Sequence, residues 1–290
     1  MSAAGFGPRV GFMVLRHRVG WLMVAVGVGG MVTQPGRAAD AAREITVLNR
    51  GVGGNSSRDG LARFQRDVES VHPQHLLLYF GINDALNSAK LVPVAEFRRN
   101  LQAMIDRARQ VGVGTVVLTT PNPIVSSYVR ARHPKHPEAD LEAHLGAYAG
   151  VVRDLARGNG LLLADLGEAI RRQGAAPDEA RSVIRNQANS GSADGVHLTP
   201  AGYRLLASLY ADLLADKVRP GDVVLCFGDS ITWGANVPGA GSVRGQTYPA
   251  WLWYLLNRPL GLAPGEAPPE PAAPAAPTPT LPPVDAAAPR

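Results

Sequence analysis

The sequence predicts an α/β protein: three layers, α/β/α, around a five-stranded parallel sheet. Three observations carry this. Five short apolar runs, at residues 45–48, 76–80, 115–119, 161–164 and 223–227, alternate with segments whose apolar residues recur at helical spacing. Strands separated by helices need crossover connections, so they pair in parallel and are covered on both faces. The 290 residues are 46% hydrophobic and 18% charged, an ordinary globular composition and enough for one well-buried core.

Residues 1–41 stand apart from that pattern. Arg9, Arg16, His17 and Arg18 precede an apolar stretch at 19–32, and small residues follow as far as Ala39, Asp40 and Ala41. Positive start, short apolar middle and small-residue exit describe a secretory signal peptide, with cleavage around Ala39-Asp40-Ala41. The apolar run is shorter than the roughly 20 residues that span a bilayer, and an uncleaved anchor is the alternative. The protein is therefore expected to be secreted or periplasmic, meeting a membrane only through an uncleaved N-terminal segment. Losing this segment removes four arginines and one aspartate, so the formal charge falls from +5 to +2. The remaining basic residues are scattered among acids, with no stripe to bind nucleic acid. Cys226 is the single cysteine, which excludes an intrachain disulfide and a thiolate metal site; its place in an apolar run predicts a buried side chain.

The predicted folded unit spans residues 43–261. Its first strand, 45–48, runs into a glycine-rich loop at 49–57. Leu61, Phe64, Val68 and Val71 mark a helix that Pro73 closes, and the continuous apolar run 76–80 ends at Gly81, Ile82, Asn83 and Asp84. Phe97, Leu101, Met104, Ile105 and Ala108 mark the next helix; strand 115–119 then breaks at Pro121-Asn122-Pro123. Residues 124–140 read as loop. Leu141, Leu145, Tyr148, Val152 and Leu155 make a third helix, followed by strand 161–164, a weakly helical charged stretch to about residue 185 and a polar loop at 186–194. Thr199-Pro200 starts a helix, threonine as N-cap and proline in the first turn. The last strand stops at Gly228-Asp229-Ser230, and residues 248–256 form the final helix. Residues 262–290 are almost wholly Ala, Pro, Thr, Gly and Glu, a composition that predicts a disordered tail.

In open parallel sheets ligands lie beyond the carboxyl ends of the strands. The loops 51–57, 81–84, 121–123 and 228–233 should therefore face one crevice. Ser230 is the candidate nucleophile there, and a serine needs a base and donors for the charge its attack creates. Asp194-Gly195-Val196-His197 offers His197 as base and Asp194 to orient it, although helix capping would equally account for this pair alone. Gly54 and Asn83, with the backbone N–H of Ser230, are candidate oxyanion donors; a flexible turn and an Asx turn are the plainer readings of the first two. Trp233 is expected to wall the cleft and Asn55 to touch substrate, whereas Trp251 and Tyr254 read as packing residues. His133 and His136 read as a surface loop around a proline, not as metal ligands, and His72 and His75 receive no role. No cofactor and no metal are expected.

Four blocks, Gly228-Asp229-Ser230-Ile231-Thr232, the loop 49–57 with Gly54, Gly81-Ile82-Asn83-Asp84, and Asp194 to His197, together resemble the SGNH hydrolases, also called GDSL esterases and lipases. The resemblance implies that family's flavodoxin-like fold. It makes Ser230 nucleophile, His197 base, Asp194 its orienter, Gly54 and Asn83 oxyanion donors, and Asp229 a structural neighbour. The order departs from the family, because the serine block here follows the histidine block. A circular permutation is expected, joined at residues 218–222, with new ends between the helix near Leu256 and the strand near Ile45. The expected activity is hydrolysis of a small-molecule or polysaccharide ester through an acyl-enzyme, with acetyl or another short acyl group on a carbohydrate. The alternatives are a lysophospholipase or thioesterase, and a non-catalytic glycan-binding module.

Overall fold

A computed structural model describes residues 44–257. The signal-peptide reading of residues 1–41 and the tail reading of 262–290 fall outside these described residues. Five strands, β1 (Thr46–Gly51), β2 (His75–Tyr79), β3 (Thr115–Thr119), β4 (Leu162–Ala164) and β5 (Val223–Gly228), form one sheet in the order β1-β5-β2-β3-β4. Every pairing is parallel. The strand last in sequence thus lies between β1 and β2, with Gly228 level with Gly51 on one side and Tyr79 on the other.

Side chains alternate across a strand, so each strand feeds two cores. Leu76, Leu78, Leu225 and Phe227 pack with α1 (Ser57–Asp67), α3 (Val94–Gln110) and α5 (Leu141–Asn159). Leu77, Tyr79, Val224 and Cys226 pack on the opposite face with α8 (Pro200–Leu214) and α10 (Tyr248–Asn257), where Trp251 and Tyr254 also lie. This is the expected α/β/α layering, and Cys226 is fully buried in it. Thr199 caps α8 by accepting from the Gly202 N–H, with Pro200 opening the helix.

The shorter helices differ from expectation. Residues 124–140 contain α4 (Ser126–Arg132), in which Val129 alone is buried, so it shows no apolar period. Residues 81–84 open α2 (Ile82–Leu86), all five of whose residues are buried. The charged stretch begins with α6 (Leu166–Arg171), and the polar loop at 186–194 holds the single turn α7 (Gln187–Ser190). His136 is buried rather than on a surface loop, its Nε2 2.8 Å from the Ala85 carbonyl oxygen. His75 is also buried and donates to Asp222 Oδ2 at 2.9 Å.

That last bond pins the connection from α8 to β5. Asp222 Oδ2 also accepts from the Arg219 N–H at 2.7 Å, and Gln74 Oε1 accepts from the Val223 N–H at 2.8 Å. At the other junction Asn257 bonds both backbone groups of Ile45, accepting from its N–H at 2.8 Å and donating to its carbonyl at 3.0 Å. The end of α10 therefore lies against the start of β1.

After β5 the chain forms α9 (Ser230–Trp233), which crosses the end of β1 closely enough that a Cβ on Gly51 would lie 2.1 Å from the Trp233 amide nitrogen. No rotamer change relieves a backbone clash. Gly51→Ala should cost about 3 kcal/mol and lower the melting temperature by roughly 10 °C, measured by calorimetry; an unchanged melting temperature would show that α9 can shift freely.

Candidate active site

The turn out of β5 sets the serine. Asp229 accepts the Ile231 N–H on Oδ1 at 2.9 Å and so caps α9, leaving Ser230 as its first residue. His197 Nε2 lies 3.0 Å from Ser230 Oγ. Its Nδ1 lies 2.9 Å from Asp194 Oδ2, and Asp194 Oδ1 accepts the backbone N–H groups of Val196 and His197 at 3.0 and 2.9 Å. A carboxylate can only accept, so Nδ1 carries the proton and the Nε2 lone pair faces the serine hydroxyl. The three-residue spacing of Asp194 and His197 closes this turn, which Arg185 fixes by pairing its N–H with the His197 carbonyl and its carbonyl with the Gly195 N–H. The serine hydroxyl lies within hydrogen-bond reach of the imidazole, the geometry proton transfer needs.

Opposite Ser230 lies the glycine loop. Val52 N–H bonds the Gly228 carbonyl and Asn55 N–H the Val52 carbonyl, a turn in which Gly54 takes φ = +76°, a conformation glycine adopts without strain. The N–H groups of Gly54 and Ser230 find no acceptor among the described residues. Asn83, 9% exposed, donates one amide proton to the Asn55 carbonyl at 3.0 Å, which leaves its second for the cleft. All three groups can serve a developing oxyanion.

Two expected substrate contacts lie elsewhere. Asn55 holds the loop, with its carbonyl on Asn83 and its Oδ1 accepting from Arg63 Nε at 2.7 Å; it does not line the cleft. Trp233 is not a wall either. One turn beyond Ser230, its backbone presses on Gly51 and its ring lies against Gly241, outside the cleft lining.

The cleft itself, about 490 Å³, runs from Ser230, His197, Gly54 and Asn83 between α2 and α4. Ile82, Leu86, Val129 and Val196 give it apolar surface, and Asn87, Arg132, His133 and Ser192 give it polar groups. Arg132 also donates to the carbonyls of Ala193 and Asp194. His133, expected on a surface loop, instead lines this cleft, its Nδ1 3.0 Å from Ser88 Oγ. Arg63, Arg132 and His133 were invisible as site residues because their roles depend on neighbours remote in sequence; Arg63 beside Phe64 on a helix's apolar face was the one available signal. Among the described residues, no three His, Cys, Asp or Glu side chains are placed to hold a metal ion, and no helix is long and apolar enough to cross a membrane.

Burial sorts the carboxyl groups. Desolvation pushes Asp229 up to about 7, against the lowering pull of the Ile231 N–H and the charge of His197. It pushes Asp84 up to about 6, although the Ser57 side chain and backbone bond it. Burial would also raise Asp194, but the hydrogen bond and charge of His197, with two backbone N–H groups, hold it well below the usual carboxylate range. The charge beside the imidazole is thereby kept on Asp194. Asp229 and Asp84 bind protons more tightly folded than unfolded, so their stabilisation is full below about pH 4 and is lost as pH rises through about 6 and then 7. Thermal melts should therefore show stability declining from pH 4 to 8, and Asp229→Asn should flatten the upper part of that decline; an unaltered slope would place the ionisation elsewhere.

Comparison with known proteins bears on the family of the chain. The model of the GDSL-like Lipase/Acylhydrolase family matches residues 17–205, a span that stops before the serine block. The chain is 31% identical over 178 residues to YqeF, an uncharacterized lipoprotein of Bacillus subtilis (strain 168), covering 56% of this chain and 70% of that one. Among solved structures it is similar to a lipase/acylhydrolase from Enterococcus faecalis, at 26% identity and a TM-score of 0.44, over 58% of this chain and 74% of the other. It is similar also to an acetylxylan esterase from Geobacillus stearothermophilus, at 22% identity and a TM-score of 0.44, over 55% and 67% of the two chains. With the family match spanning well over half its length, the chain belongs to the GDSL-like lipase/acylhydrolase family and is a carboxylic ester hydrolase.

Proposed function

We propose that Ser230 is the nucleophile of a serine esterase that removes acetyl or other short acyl groups from a carbohydrate. The observation that carries the reading is the continuous hydrogen-bonded line Ser230–His197–Asp194 at the mouth of the cleft. Ser230 Oγ attacks the ester carbonyl carbon while His197 Nε2 takes the hydroxyl proton, and Asp194 steadies the imidazolium. The N–H groups of Gly54 and Ser230 and the Asn83 amide receive the oxyanion. His197 then gives its proton to the departing alcohol, and a water activated by the same imidazole releases the acid and restores Ser230.

The polar side chains Asn87, Arg132, His133 and Ser192 support a hydroxyl-rich alcohol in the cleft, whereas Ile82, Leu86 and Val129 are what a lysophospholipid or thioester acyl chain would use. A secreted or periplasmic location, read from residues 1–41, suits a polysaccharide substrate. Ser230→Ala should lose fluorophosphonate labelling and lower kcat on a short-chain nitrophenyl ester at least about a thousand-fold. A panel of acetylated glycans against longer acyl esters decides the substrate: faster turnover of the long chains would replace the carbohydrate reading with the lipolytic one.

We further infer that the chain is a circular permutation of the family order. The family match ending at residue 205 and the position of β5 between β1 and β2 both support this. So does the pairing of Asn257 with Ile45, which brings the two new ends together. A re-ordered chain running from residue 222 to 257, through a short flexible linker to 44 and on to 218, should fold and keep activity within roughly tenfold of the native order. Failure of that chain to fold, seen by circular dichroism, would overturn the inference.

A further inference from the structure

Asn236 follows α9 and has φ = +67°, in the left-handed region that L side chains rarely adopt. The neighbouring positive-φ positions at 234, 239, 241 and 245 are all glycine. Backbone conformation alone would therefore be served by glycine at 236 as well, so the asparagine side chain calls for its own explanation.

That side chain reaches the dyad. Asn236 Nδ2 lies 2.8 Å from Asp194 Oδ2, the oxygen that also accepts the His197 Nδ1 proton, and 3.3 Å from Nδ1 itself. The flipped amide would set its oxygen against a carboxylate with no proton between them, so the nitrogen assignment follows from the chemistry. The charged neighbour Arg185 does not fill this place: its Nε stands 3.9 Å from Oδ2 and makes no hydrogen bond among the described residues. Arg185 instead donates through Nη1 to the Asn236 carbonyl at 3.3 Å. The adjacent residue is fastened from both sides, the Ala235 N–H on the Ser230 carbonyl and the Ala235 carbonyl on the Tyr203 hydroxyl. One short segment thus connects the serine turn to the Asp194 carboxylate.

We propose that Asn236 is a positioning residue, whose amide holds the Asp194 carboxylate in the plane from which Oδ2 accepts the His197 Nδ1 proton and keeps Nε2 on Ser230. A carboxylate bonded at Oδ1 to two backbone N–H groups can still swing Oδ2 about that anchor. A second donor on Oδ2 removes the freedom, and an imidazole aligned before attack lowers the barrier instead of tightening substrate binding. The proposal rests on the nucleophile and base assignments above.

The test uses Asn236→Gly, which keeps the backbone conformation and removes the amide, and Asn236→Asp, which keeps the shape and replaces the donor with an acceptor. Both should lower kcat on a nitrophenyl ester by about tenfold or more with KM changed less than about twofold, and Asn236→Gly should do so at an unchanged melting temperature. In both, the Nδ1 proton of His197 should exchange with water faster by NMR. Native kcat in the glycine variant, or loss of kcat in that variant only together with a lowered melting temperature, would each overturn the proposal. If the native protein fails to label with a fluorophosphonate, the nucleophile reading falls, and the Nδ1 exchange rate still decides whether Asn236 positions the pair.

Discussion

The guanidinium of Arg63 is the interaction on which the rest of the site rests. It lies 4.1 Å over the Phe227 ring and donates to the carbonyls of Gly228 and Arg50 at 2.7 and 2.9 Å, to Asn55 Oδ1 at 2.7 Å and to Asp67 at 2.8 Å. The two carbonyls lie near the ends of their strands, Gly228 the last residue of β5 and Arg50 the last but one of β1. The Gly228 carbonyl also accepts the Val52 N–H, and a planar fork of five donors can bond several acceptors at once. Asp67 balances the charge, so the cation is not left unpaired in a part of the molecule that is largely closed to water.

From Arg63 the consequences run outward to the chemistry. The side chain of Asn55 is held by Arg63, its carbonyl holds Asn83, and the loop between carries Gly54. The Gly228 carbonyl on Arg63 Nη2 is two residues from Ser230. One buried cation therefore ties the turn that carries Ser230 to the loop that carries Gly54 and, through Asn55, to Asn83. On the far side of Ser230 the arrangement is different in kind. There Asp194 is ionised because hydrogen bonds and the imidazole charge outweigh its burial, while Asp229, with Oδ2 unpartnered among the described residues, takes the opposite balance. Two aspartates close to one histidine thus differ in proton affinity through environment alone.

Much of this was legible from residue order. The five apolar runs became the five strands, because a strand buried on both faces must be apolar throughout. Ser230 and Asn83 lie in the first turns of short helices and Gly54, Asp194 and His197 in loops, and the structure brings all five to one cleft. Trp233 and Asn55 were misread for a shared reason: adjacency in sequence to a site residue does not fix which way a side chain leaves a turn. The helix at 126–132 was missed because a seven-residue segment with one buried position carries no period. It nonetheless supplies one wall of the cleft.

Sequence by itself determined the layers, the parallel sheet and which residue types are available for chemistry, since apolar periodicity and residue chemistry are local properties. Tertiary structure alone decided that β5 enters between β1 and β2, that Arg63 bonds the ends of β1 and β5 and Asn236 the Asp194 carboxylate, and how tightly each buried carboxyl group holds its proton. Each of these depends on groups brought together from distant parts of the chain. Burial, hydrogen-bond geometry and electrostatic neighbours come into existence only when the sheet closes.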